Sequence, residues 1–105
     1  MKKVIIINGA QCTGKTRKLN EILSEVSDAN KLVVKTKTFL KNSFKPNKSV
    51  QIIAVDEIAS KNFVNCLAKA IVVNKNVVLV TTDNLSEVPK SYLSKANVIT
   101  CNLSV

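Results

Sequence analysis

The chain contains several runs of consecutive apolar residues in which polar residues do not alternate. Residues 2–8 (KKVIIIN), 50–57 (VQIIAVDE) and 77–83 (VVLVTTD) each carry a block of mostly β-branched residues. A strand with one wet face alternates apolar and polar side chains, so a run without alternation fits a strand covered on both faces of a parallel sheet. Residues 31–37 (KLVVKTK) and 97–103 (NVITCNL) read as two further strands.

Between the strands the spacing changes from two to about three and a half. Leu19, Ile22, Leu23 and Val26 form one helical face, and Ile58, Phe63, Cys66, Leu67, Ala70 and Ile71 form another. SDAN at 27–30 stops the first helix and NKN at 74–76 makes a turn. Residues 38–49 read as a loop, or a short helix plus turn, and a short helix follows around Pro89 to Lys95. Strands alternating with helices predict an α/β fold: a five-stranded parallel sheet with helices on both faces, a three-layer α/β/α arrangement. The 105 residues are expected to form one domain, residues 1–105.

Composition removes whole classes of chemistry. Histidine is absent, which excludes hydrolases that activate serine or cysteine with an imidazole. Cys12, Cys66 and Cys101 are odd in number and far apart, a pattern of neither a disulfide framework nor a metal knuckle. Cys66 and Cys101 are expected in the core. No apolar run reaches membrane-spanning length, so no membrane association is expected and the chain reads as soluble and cytoplasmic.

In a parallel α/β sheet, ligands bind beyond the carboxyl ends of the strands. At the first end lies GAQCTGKT, residues 9–16, which satisfies G-x-x-x-x-G-K-[ST] between a strand and a helix. Gly9 and Gly14 let the loop turn tightly and bring backbone against phosphate oxygens. Gly9, Ala10, Gln11, Cys12, Thr13, Gly14, Lys15, Thr16 and Arg17 are the expected nucleotide-binding residues. Backbone N–H groups from about Gln11 to Thr16 would face the phosphates, Lys15 would reach the β and γ phosphates, and the Thr16 hydroxyl would ligate Mg²⁺. The alternative is a chance match to four fixed positions.

At the second end, Asp56 closes an apolar run and Glu57 follows. A carboxylate at the tip of a buried strand is costly without a cation, which predicts Asp56 as a Mg²⁺ ligand and Glu57 as the group that orients or deprotonates water. Otherwise the two acids make a solvated turn before a helix. At the third end Thr81, Thr82, Asp83 and Asn84 crowd together, with Thr82 and Asn84 carried forward as catalytic candidates. The alternative is plain turn chemistry, Asp and Asn being turn formers.

Taken together, GAQCTGKT, IIAVDE and VVLVTTDNLSEVPKSYLSKANVI resemble the core of P-loop NTPases of the additional-strand, catalytic-glutamate division, most similar to AAA+ ATPases. The resemblance implies the sheet order 5-1-4-3-2, ATP with Mg²⁺ and a ring-forming homo-oligomer, with Lys15, Asp56, Glu57, Thr82 and Asn84 as catalytic residues. Such ATPases usually carry a helical lid, for which no segment is expected here, and an arginine finger. Arg17, on the loop's own helix, is the only arginine in the sequence, and Lys95 near the usual finger position lacks the guanidinium fork. Hydrolysis is therefore expected to be slow unless a partner ATPase supplies an arginine. A nucleotide-gated binding module and a small nucleotide or metabolite kinase are the competing readings.

The formal net charge of +9 favours polyanions or simply maintains solubility. Lysines 35, 37, 41, 45 and 48, interleaved with Phe39 and Phe44, would suit single-stranded nucleic acid by charge and stacking. The alternative places both phenylalanines in the core beneath a lysine-rich loop. Cys12 sits at the start of a helix, where a thiolate is stabilised, although a variable loop position serves as well.

Overall fold

The computed structural model describes residues 3–9, 14–73, 75–81 and 88–100. Its strands are β1 (Val4–Asn8), β2 (Lys31–Lys35), β3 (Ile52–Ile58), β4 (Asn76–Thr81) and β5 (Asn97–Thr100). Its helices are α1 (Lys15–Ser24), α2 (Thr36–Phe39), α3 (Ser60–Val72) and α4 (Lys90–Leu93). All five strands run parallel in the order β2-β3-β4-β1-β5, which is the expected 5-1-4-3-2. Each connection carries a helix, as parallel pairing requires of the chain that must return to the opposite end of the sheet.

The apolar runs are buried on both faces, with successive residues contributing to different cores. Ile6, Ile53, Val55, Val77 and Leu79 pack with Phe39, Phe63, Cys66, Leu67 and Ala70. Their neighbours Ile7, Ile52, Ala54, Val78 and Val80 pack with Leu19 and Leu23. Thus α3 brings four buried residues to the first cluster, whereas α1 brings two to the second. At about 1.5–3 kcal/mol per fully buried aliphatic side chain, α1 is the more lightly held element, and it is the one that carries the candidate loop.

Several boundaries differ from the sequence reading. Helix α1 starts at Lys15, before its apolar face begins, because Gly14 at φ 89° and ψ 18° turns the chain directly into the helix. It ends at Ser24, and a 3-10 turn over Asp28–Asn30 occupies the predicted stop. Lys31 closes this corner, its Nζ donating to the Leu23 carbonyl at 3.2 Å and lying 2.9 Å from Asp28. Strand β2 ends at Lys35 rather than residue 37, since the turn into α2 delivers Phe39 to the core with no exposed surface.

Strand β3 does not end at the two acids. It continues through them to Ile58, which is 1 % exposed and packs beside Val55. Val55 pairs with Leu79 and Ile58 with Thr81, so three steps along β3 match two along β4. The extra residue is a β-bulge, and it returns Ile58 to the same face as Val55, which an unbroken alternation would not do.

Lysines hold the segment after α2. Lys75 Nζ donates to the carbonyls of Asn47 (3.3 Å), Lys48 (3.2 Å) and Val50 (2.6 Å). Lys69 Nζ donates to the carbonyls of Phe39 and Lys41 and lies 5.3 Å and 5.2 Å from the ring centroids of Phe39 and Phe44. No helix among the described residues is long and apolar enough to cross a membrane.

Candidate functional site

The strand order brings the carboxyl ends of β1, β4 and β3 side by side. With adjacent strands about 4.8 Å apart, the start of the β1–α1 loop and Asp56 are separated laterally by roughly 10 Å, with β4 between them.

Gly9 begins the loop and is buried. Its N–H donates to the Thr81 carbonyl at 3.3 Å, extending the β1–β4 ladder one step beyond the strand. Its own carbonyl accepts a 2.6 Å hydrogen bond from Lys15 Nζ, so the lysine links the described residues on either side of the loop. Gly14, in the left-handed region, closes the other side, and its carbonyl accepts from the Lys18 N–H at 3.0 Å. A residue with a Cβ would be strained there by about 1–2 kcal/mol. Thr16 and Arg17 lie exposed on the first turn of α1. Ala10, Gln11, Cys12 and Thr13 lie outside the described residues.

Asp56 is half-buried and faces Lys35 in the β2–β3 register. Neither forms an ion pair with any described residue. Glu57 is placed by its backbone within β3; its side chain, like Thr82, Asp83 and Asn84, lies outside the described set. Among the described residues no group of three or more His, Cys, Asp or Glu side chains converges as a metal cluster.

Thr81 has a different place from the one its turn-like neighbours suggest. It is fully buried at the end of β4, and its hydroxyl donates to the Ile58 carbonyl at 3.1 Å. It therefore ties β4 to the bulged end of β3, while its backbone carbonyl receives Gly9. The loop, β4 and the acidic strand end are joined through this one residue.

The basic segment resolves into core and surface. Phe39 is fully buried and meets Phe44 edge to face at 5.6 Å between centroids, so Phe39 presents no ring to a nucleic-acid base. Lysines 35, 37, 41, 45 and 48 are all exposed. Cys66 is buried as expected, and burial pushes its thiol up to about 11 against the lowering influence of Lys69. Cys101 lies outside the described residues.

The sequence reading missed one strand end. Beyond β2 and β3 a cleft of about 410 Å³ is lined by Lys35, Thr36, Lys37 and Asp56. The signal was available, since Lys35 and Thr36 occupy the same position relative to β2 that the recognised polar residues occupy relative to their strands.

The fold and loop define a parallel α/β protein with a glycine-bounded strand–loop–helix at the sheet's carboxyl edge. In comparison with known proteins, no family model and no curated sequence matches this chain.

Proposed function

We propose that this chain is a P-loop nucleoside triphosphatase of AAA+-like type that binds Mg·ATP at the β1–α1 loop and hydrolyses it slowly or on stimulation by a partner. The observation that carries the reading is Lys15 lying 2.6 Å from the Gly9 carbonyl, at a loop whose second glycine adopts φ 89°. The ammonium is held against the first glycine of the motif. An entering phosphate would exchange the neutral carbonyl for a charged acceptor, a stronger partner for the lysine.

Thr16 and Asp56 fit a Mg²⁺ ion, which takes oxygen ligands, keeps several waters and needs only one or two protein groups besides the phosphates. Bound there, Mg²⁺ would neutralise charge on the triphosphate. Asp56 has no competing cation among the described residues, so its carboxylate is open to this role. Glu57 follows it in β3 and serves as the group orienting or deprotonating the attacking water, with Thr82 and Asn84 as candidate contacts to the γ phosphate. An arginine from a partner ATPase would complete the charge stabilisation that Arg17, on the loop's own helix, is not positioned to supply in the usual way.

A second reading is a nucleotide-gated module that binds nucleic acid or a partner and turns over little by itself. The exposure of lysines 35, 37, 41, 45 and 48 favours it, by charge rather than by stacking. ATPase assays on the same sample with and without single-stranded DNA separate the two: stimulated turnover favours the ATPase, and DNA binding without turnover favours the module.

Calorimetric titration with Mg·ATP tests the shared premise. Lys15→Ala is expected to remove measurable binding while the far-ultraviolet circular dichroism stays unchanged. Mg·ATP is also expected to protect Cys12 from alkylation. Wild-type affinity in Lys15→Ala, or equal labelling with and without nucleotide, counts against the loop as the phosphate site.

A further inference from the structure

The cleft beyond β2 and β3 lies at the same sheet edge as the β1–α1 loop but on the far side of Asp56 from it. Its described lining is Lys35, Thr36, Lys37 and Asp56, residue types that carry two ammonium groups, one hydroxyl and one carboxylate. Lys35 and Asp56 stand opposite one another in the β2–β3 ladder and yet form no ion pair with each other. Opposite charges facing each other across a strand pair ordinarily attract, so two uncombined charges at one cleft leave both a cation and an anion open to a third molecule. The bulge between Val55 and Ile58 falls at this carboxylate, and bulges re-aim the side chains they contain.

We propose that this cleft is a ligand subsite separate from the phosphate loop, taking a small hydroxylated phosphate ester of the sugar-phosphate or nucleotide class. The ligand's phosphate accepts from the ammonium groups of Lys35 and Lys37, and one of its hydroxyls donates to one oxygen of the Asp56 carboxylate, the other oxygen remaining for the Mg²⁺ of the proposed function. A volume of about 410 Å³ suits a molecule of this size. The mixed lining excludes simpler partners: a bare polyanion meets the Asp56 carboxylate, and a neutral sugar leaves both lysines without an acceptor. A DNA backbone, with phosphodiesters and no free hydroxyl along its length, satisfies the lysines but gives Asp56 nothing to accept. The inference does not require that the β1–α1 loop bind ATP.

The test is a titration of isotopically labelled protein followed by amide chemical shifts, with ribose 5-phosphate, ribose, inorganic phosphate and a single-stranded DNA oligonucleotide as probes. Ribose 5-phosphate is expected to shift the Lys35, Thr36, Lys37 and Asp56 amides and to saturate. Inorganic phosphate should bind the same residues more weakly, and ribose should leave them unmoved. The double variant Lys35→Ala/Lys37→Ala, at two exposed positions, should bind ribose 5-phosphate at least about tenfold more weakly with its fold intact. Lys15→Ala should bind it as the wild type does, which separates this cleft from the loop. Shifts confined to residues 14–18, undiminished affinity in the double variant, lost affinity in Lys15→Ala, or preference for DNA or inorganic phosphate over ribose 5-phosphate would each overturn the assignment.

Discussion

The Thr81 hydroxyl donates a 3.1 Å hydrogen bond to the Ile58 carbonyl where the β3–β4 register shifts by one residue. A bulge interrupts the ladder and leaves backbone groups in need of partners, and the buried threonine supplies one. Thr81→Val keeps the shape and removes the donor, leaving a polar group without its partner at a position with no exposed surface. Its expected cost is about 1–3 kcal/mol, read as a lower urea midpoint at unchanged m value. Thr81→Ser should recover most of the loss, and equal destabilisation of the two variants would point to packing instead of the hydroxyl.

Gly14 at φ 89° joins the loop to α1. Gly14→Ala should destabilise the protein by about 1–2 kcal/mol, because a Cβ clashes in the left-handed region. The penalty falls on the element with the fewer buried residues, so amide exchange should quicken in α1 before it quickens in α3. Uniform quickening across both helices would contradict this ordering.

Lys75 donates to three carbonyls of the segment between α2 and β3. Lys75→Met retains much of the aliphatic stem and removes the donors. A loss of about 1–2 kcal/mol is expected, together with faster amide exchange around residues 44–51. Protection unchanged in that segment would show that the ammonium contributes nothing to its order.

Cys66 offers a pH test. Burial raises its thiol from 9.0 to about 11 in the folded protein, so the unfolded chain loses the proton first as pH rises. The contribution is fully present below about pH 9 and declines between about 9 and 11, by roughly 3 kcal/mol at most. Other groups titrate there, so the measured quantity is the difference between wild type and Cys66→Ala, which should narrow over that window. At pH 8 the folded protein should resist alkylation at Cys66 and react on unfolding.

For the proposed hydrolysis, Glu57→Gln is expected to retain Mg·ATP binding and reduce turnover by roughly 10²–10⁴-fold. Asp56→Asn should instead weaken the dependence of ATP affinity on Mg²⁺. Unchanged turnover in Glu57→Gln would remove Glu57 from the chemistry. A Mg²⁺ dependence untouched by Asp56→Asn would remove Asp56 from the metal.

Local signals carried much of the structure. Non-alternating runs located β1, β3 and β4, and the glycine spacing located the turn from β1 into α1, because burial on two faces and a left-handed turn each leave a mark within a few residues. Periodicity did not contain the strand order, which came from resemblance and is present in the sheet. Nor did it contain the end of β3: Asp56 and Glu57 look like a terminus to a local reading, yet the strand runs on because Ile58 gains a place in the core.

The sequence alone determined a parallel α/β chain with a glycine-bounded loop at its first strand end, since the run lengths and glycine positions allow little else. Tertiary structure decided that Thr81 is a buried tie, that Phe39 belongs to the core, and that Lys35 stands beside Asp56 in the β2–β3 register, both lining one cleft. These depend on register between strands far apart in the chain. Pairing across the sheet is fixed by the burial of many side chains at once, and no single segment records it.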